Sequence, residues 1–241
     1  MLHKTRGIVF RTTKFSESSV IAKIFTEDFG LQSFMVNSVR SKNAKTKAAS
    51  LLPLTIIEAI VYIRETREVQ KISDVKICAP FHSIHSDIRK TSIVLFLADI
   101  LHRTIKEESP NKKLFEYLVH SLLVFDIKNE GINSFHLFFL IHLTKHLGFF
   151  PSGNYSAHTP VFNLPEGNFQ QDFPIHPEFI SFPETEFISR LINSTLDSFS
   201  DVKIPKETRS LILEKLITYY RIHIPSINEI RSHKILEEVM N

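Results

Sequence analysis

Cysteine is almost missing from this chain: Cys78 is the only one in 241 residues. A single thiol makes no intrachain disulfide and no cysteine-based zinc site, which fits a reducing cytosol. Cys78 ends a β-like segment beside apolar residues, so a buried, inert thiol is expected. Tryptophan is absent and there are six glycines. None of the six forms a G-x-G-x-x-G or G-x-x-x-x-G-K loop, so the usual glycine cradles for phosphate are excluded. No G-x-S-x-G elbow occurs, and the acids are scattered without a suggestive carboxylate pair. Long apolar runs are also lacking. The most apolar stretch, Phe135 to Phe150, carries His136, His142, Lys145 and His146, and its uncharged core is shorter than the roughly 20 residues of a spanning helix. It reads as a helix inside a protein. The opening "MLHKTRGIVF" has charge and no apolar run, unlike a secretory signal. A cytoplasmic chain with no membrane partner is expected.

What is present is phenylalanine, 21 residues of it, in a chain 43% hydrophobic and 23% charged. That is the balance of an ordinary globular protein. The net charge of +3 is unevenly spread: residues 1–47 hold nine Lys or Arg against three acids, a net of +6, leaving −3 for the remainder. A basic N-terminal part on a near-neutral body suggests an anionic partner.

Two periods divide the chain. "RGIVF", "SSVIAKIFT", "LQSFMVN", "LTIIEAIVYIR" and "QKISDVKI" read as five short strands, with a turn at "EDFG" and a polar basic connection from Ser38 to Ser50. In the fourth, Ile57, Ala59, Val61 and Ile63 alternate with the more mixed Ile56, Glu58, Ile60 and Tyr62, as in a strand buried on one side. Five strands in about 80 residues without helical intervals fit a small closed barrel, most often an OB-fold. From Pro80 the period is helical. Ile93, Leu97, Ile100 and Leu101 form one stripe; Leu114, Tyr117, Leu118, Leu122 and Phe125 form a second, with Ser109-Pro110 between them. A third helix, Ile132 to Leu147, is apolar nearly all round and belongs in the centre of a bundle. Helices over "ETEFISRLINSTLDSF", "PKETRSLILEKLITYYRIHI" and "SHKILEEVM" follow. The fold class is therefore α+β: a barrel domain over residues 1–79, then a helical domain over 80–241 with an irregular insertion at about 148–183.

The strongest chemical signal is cationic. "VRSKNAKTK" offers Arg40, Lys42, Lys45 and Lys47 with no acid among them. Such a loop can follow a phosphate backbone, releasing counterions at each contact. Arg6, Arg11, Lys14 and Lys23 come from neighbouring strands and turns. Phe10, Phe15 and Phe34 are interleaved with them, either filling the barrel or, where exposed, stacking a base. His142 and His146 share a helix face at chelating spacing, but Leu143 stands where a zinc-protease helix has glutamate. No third ligand is evident, so satisfied polar positions on a buried helix are the better reading. Neither an active site nor a cofactor site emerges.

These segments, in this order, resemble the RecO family of bacterial recombination mediators. "GIVFRTTKFSESS" is similar to the family's opening strand and turn, "FTEDFGL" to its Thr-Glu-x-x-Gly turn, and "VRSKNAKTKAASLLPLTIIE" to its basic loop and Leu-x-Pro. "LADILHRTIKEESPNKKLFEYLVHSLLVFD" resembles its helix pair, "HLGFFP" its helix end, and "YYRIHIPSINEIRSHKILEEV" its last helices. The resemblance implies an N-terminal OB-fold, a helical C-terminal domain and a non-catalytic role on the nucleoid. It implies binding of single- and double-stranded DNA and annealing of complementary strands. The implied partners are RecR and the acidic tail of single-strand-binding protein, so that RecA loads on coated DNA. The tail's dock should be an apolar groove rimmed by Lys or Arg; Arg103, Lys106, Lys112 and Lys113 are candidates. OB barrels also bind protein tails, so a scaffold for acidic tails is the alternative reading of the fold.

Many family members carry a four-cysteine zinc module after Leu-Gly-Phe-x-Pro. Here "SGNYSAHTPVFNLPEGNF" stands in that place without cysteine. No metal is expected. Val161, Phe162, Leu164 and Phe169 should pin the segment by apolar contact, as a small hairpin around "LPEGNF" with Gly167 in the turn.

Overall fold

The computed structural model describes residues 2–37, 39, 48–64, 66–227 and 230–240. The alternating segments pair as β1 (Leu2–Lys14), β2 (Val20–Thr26), β3 (Gly30–Val36), β4 (Ile56–Tyr62) and β5 (Val69–Ala79). They close into a barrel of order β1-β2-β3-β5-β4, with β3 and β5 parallel and the other pairs antiparallel. This is the five-stranded OB-type barrel followed by helices.

Period-two burial explains the closure. Val20, Ala22 and Ile24 of β2, Phe34 and Val36 of β3, and Ile57, Ala59 and Val61 of β4 fill the interior. Each set lies at every second residue, so each strand turns one row inward. The register is interrupted between Val9, paired with Ile24, and Arg11, paired with Lys23. Phe10 is the extra residue, a β-bulge. Val9 enters the barrel core, while Phe10 is buried against Phe25, their rings 5.7 Å apart, and Phe25 in turn meets Phe115 at 6.2 Å. A second interruption corrects the expectation for Cys78. Ile57 pairs with Ile77 and Ile56 with Ala79, so Cys78 is the unpaired residue, and it is exposed. The bulge, invisible to an apolar-neighbour argument, turns the thiol out.

The helices are α1 (Ile88–Thr104), α2 (Lys112–Ile127), α3 (Phe135–Leu147), α4 (Glu184–Ile192), α5 (Lys206–His223) and α6 (Ser232–Met240). Asp87 caps α1, its side chain accepting from the amides of Arg89 and Lys90, as short acidic side chains do at helix starts. The chain divides into two compact units, residues 1–126 and 127–241, so α1 and α2 group with the barrel. Within the first unit Asp126 accepts hydrogen bonds from the amides of His82, Ser83 and Ile84 at 2.7, 2.9 and 2.9 Å. Buried Lys90 donates to Ser83 Oγ at 2.6 Å and to the Asp126 carbonyl at 2.7 Å. The link from β5 to α1 is thereby tied to the end of α2.

In the second unit α3 is buried along most of its length, as its all-round apolarity requires. It ends at Gly148, φ +89°, a left-handed closure that glycine adopts without strain. The sequence pattern carries α4 through Phe199, but the helix stops at Ile192. Asn193 Nδ2 donates to the Ser189 carbonyl and Ser194 Oγ to the Leu191 carbonyl, both at 2.8 Å. Such side chains compete with the helix ladder. The insertion forms β6 (Val161–Asn163), β7 (Asn168–Gln170) and β8 (Phe179–Ile180), ordered β7-β6-β8. Gly167 closes the β6–β7 turn at φ +64°. Val161, Phe162, Leu164 and Phe169 are all buried. Phe162 meets Phe169 at 5.0 Å and Tyr219 of α5 at 5.7 Å, and Tyr219 Oη donates to the Phe149 carbonyl at 2.6 Å. His223 Nε2 lies 2.9 Å from the Leu164 carbonyl.

Candidate nucleic-acid interface

The cations singled out in the sequence fall into distinct environments. Arg40, Lys42, Lys45 and Lys47 lie outside the described residues. Arg6 sits in a charge-balanced network. Its Nε and one amino group reach Glu27 at 2.8 and 3.0 Å, the same amino group reaches Glu116 at 2.6 Å, and the guanidinium lies 5.2 Å from the Phe115 ring centre. The Arg6 hydrogen bond, more than any other influence, holds the Glu27 carboxyl below its ordinary range, with Lys112 adding to it. A phosphate at Arg6 would have to displace two carboxylates. Lys112 and Lys113 occupy the exposed first turn of α2, which has no acid in it. Cations there oppose the helix dipole, so their charge does not serve the helix.

Arg11, Lys14 and Lys23 are different. Among the described residues none of the three forms an ion pair. The Phe10 bulge sets their arrangement. Without it Arg11 would face the buried Ala22; with it Arg11 stands opposite Lys23 and is exposed. Lys14 ends β1, and Phe15 follows at 61% exposure, whereas Phe10 and Phe34 are 2% and 0% exposed. Of the three rings, only Phe15 is placed to stack a base.

The end of α1 joins the same surface. Phe10, Pro53, Leu95 and Ala98 line a groove of about 340 Å³ together with Arg11, Asp99, His102 and Arg103. Arg103 Nε donates to Asp99 Oδ1 at 2.7 Å, and Lys106 Nζ to the His102 carbonyl at 3.0 Å. Burial first, and then the charges of Lys106, Arg11 and Lys23, push the His102 imidazole below its ordinary value, against Asp99. Burial, then Lys23 and Arg103, lowers the Lys106 ammonium likewise. So Arg11 and Lys23, read from the sequence as DNA contacts, share one electropositive surface with Arg103 and Lys106, read as partner-docking residues. His102 was not singled out by its sequence; its place beside Arg103 in the last turn of α1 was the available signal.

The histidines at chelating spacing do not assemble a metal site. His142 Nε2 lies 3.1 Å from the Leu191 carbonyl, and its ring meets Phe138 at 4.3 Å and Phe150 at 5.9 Å. His136 is buried and pushed down to about 3 by burial, with Arg209 adding to it. Among the described residues no three His, Cys, Asp or Glu side chains are grouped to hold a metal. No described helix is long and apolar enough to cross a membrane.

Comparison with known proteins agrees with the fold and the segment order. Residues 1–81 match the family profile "Recombination protein O N terminal", and residues 85–229 match "Recombination protein O C terminal". The chain is 35% identical over 240 residues to a DNA repair protein RecO of Flavobacterium psychrophilum, covering 99% of both chains. It is 34% identical to that of Flavobacterium johnsoniae over 240 residues, again 99% of both, and 33% identical to that of Bacteroides fragilis over the whole of both chains. With both halves matched in order and relatives aligned end to end, this chain belongs to the RecO family of DNA-repair proteins.

Proposed function

We propose that the protein is a non-catalytic recombination mediator that binds and anneals DNA strands and helps load RecA on DNA coated by single-strand-binding protein. The barrel of residues 1–79 is the DNA-binding domain, with the end of α1 contributing to its surface, and the helices of residues 80–241 carry docking, in the cytoplasm on the nucleoid. The observation that carries this reading is the basic surface of Arg11, Lys23, Arg103 and Lys106, on which Arg103 pairs with Asp99 while Arg11 and Lys23 form no ion pair among the described residues. Lys14 and the exposed Phe15 extend it, and the sequence of residues 1–79 adds the cations Arg40, Lys42, Lys45 and Lys47. Annealing then follows from electrostatics: cations that neutralise phosphates on two strands lower their repulsion. RecR and the tail of single-strand-binding protein are the partners that the resemblance implies, with Lys112 and Lys113, which form no ion pair among the described residues, as cations for docking. The test is strand annealing on oligonucleotides coated with single-strand-binding protein, with and without RecR. Annealing that RecR stimulates is expected; none under either condition would refute the mediator role.

A second reading rests on the groove. Its apolar floor of Phe10, Pro53, Leu95 and Ala98 and its cationic rim suit an acidic tail with an apolar end. In that reading the barrel domain is a scaffold for protein tails. Separate titrations with an oligonucleotide and with an acidic tail peptide distinguish the two.

A further inference from the structure

We propose that the groove between β1 and α1 is a phosphate subsite of the DNA face, with His102 as its protonatable contact, so that DNA binding takes up a proton. The inference rests on the DNA-binding reading above and adds to it a residue, a subsite and a linkage.

The geometry carries it. His102 lines the groove with Arg11 and Arg103. Its Nδ1 is shut off from solvent with no hydrogen-bond partner among the described residues. A buried ring nitrogen left without a partner is unusual and calls for an explanation. The charged groups acting on the ring are Asp99 of α1, Lys106 just past the end of α1, Arg11 of β1 and Lys23 of β2. Burial first, and then these cations against Asp99, hold the imidazole below its ordinary value in the free protein. A phosphate in the groove would screen the cations and supply the counter-charge for an imidazolium. An acidic peptide offers the same charge, but the cations continue beyond the groove to Lys14 at the end of β1. That extension suits a polyanion tracking along the surface.

The sign follows from linkage. The imidazole is held low in the free protein and raised by the bound phosphate. Affinity therefore increases as pH falls through the raised value and levels off below the lower one. One proton gives at most about a tenfold change in affinity per pH unit between them.

The experiment uses the full chain and labelled oligo-dT at constant ionic strength, from about pH 8 to about pH 5.5. Wild type and His102→Gln are compared by fluorescence anisotropy. Wild-type proton uptake is measured by titration calorimetry in two buffers of different ionisation enthalpy. The expected result is several-fold tighter wild-type binding at the acid end, a shallower pH dependence in His102→Gln, and net uptake of up to one proton. An equal pH dependence in the two proteins overturns the inference, as does an absence of proton uptake, which needs no variant. His102→Asn serves if His102→Gln fails to fold. Absence of oligo-dT binding at every pH would instead refute the DNA-binding reading itself. His102-dependent uptake on an acidic peptide alone would assign the groove to a protein tail and overturn the phosphate assignment.

Discussion

Arg11 stands directly across from Lys23 in the β1–β2 ladder. Like charges at directly opposed positions oppose sheet formation, and no ion pair compensates either residue among the described residues. A pair that costs stability and is held outward by a bulge fits a ligand role better than a folding role. Lys23→Gln should stabilise the protein by about 0.3–0.5 kcal/mol, raising Tm by about 1–2 °C. The same change should weaken oligonucleotide binding and lower the slope of log affinity on log salt by about 1. Adding Arg11→Gln should give little further stability and a further loss of slope. A stability loss in Lys23→Gln, read by thermal melting, would show the lysine to be structural.

The cations of residues 40–47 and Arg6 should separate in the same measurement. Neutralising Arg40, Lys42, Lys45 and Lys47 together should flatten the salt slope by about 3–4. Arg6→Gln should leave the slope nearly unchanged while costing about 1 kcal/mol, because Glu27 and Glu116 lose their shared partner. Filter binding at graded salt, paired with denaturant titration, reads both effects. A full unit of slope lost in Arg6→Gln would return that residue to the DNA face.

The divide between what the sequence disclosed and what it hid is physical. Ile57, Ala59 and Val61 declare their strand face because the period of two is local, and the α3 residues declare burial because nearly all are apolar. The hairpin around Gly167 was legible from its turn residues. Bulges are not local signals. One extra residue at Phe10 decides whether Arg11 faces solvent, and one at Cys78 exposes a thiol that its neighbours suggested was buried. Composition also cannot sort cations by their partners. Arg6 and Arg11 are five residues apart on one strand, yet one is bound by Glu27 and Glu116 while the other faces Lys23. His102 becomes informative only when residues from three elements meet around it.

Asp126 makes a pH-dependent contribution to stability. Burial alone would raise its carboxyl, but the amides of His82, Ser83 and Ile84 and the Ser83 hydroxyl outweigh burial and hold it below the ordinary value. A carboxyl depressed in the folded state stabilises above its unfolded value, about 3.9, and the contribution is lost as pH falls through the folded value. Asp126→Asn should cost about 2–3 kcal/mol at neutral pH, through weakened bonds to three amides. It should also show a shallower fall of Tm below about pH 4 than wild type. Parallel acid profiles for the two proteins would place the acid sensitivity in other carboxylates.

The insertion should depend on its aromatic contacts and not on a metal. Phe162 is buried between Phe169 and Tyr219, and Gly167 combines φ +64° with a Tyr219 hydroxyl 2.8 Å from where a Cβ would stand. Phe162→Ala removes a buried ring and should cost about 3–4 kcal/mol. Gly167→Ala should cost about 1–2 kcal/mol, from backbone strain and crowding of Tyr219. Exhaustive chelation should leave Tm unchanged, because a structural zinc contributes folding energy and its removal lowers stability directly. Differential scanning calorimetry before and after chelator dialysis reads the last point, with zinc measured in the same samples. A fall in Tm accompanied by zinc release would mean that the segment keeps a metal through ligands other than cysteine, and that the apolar contacts alone do not hold it.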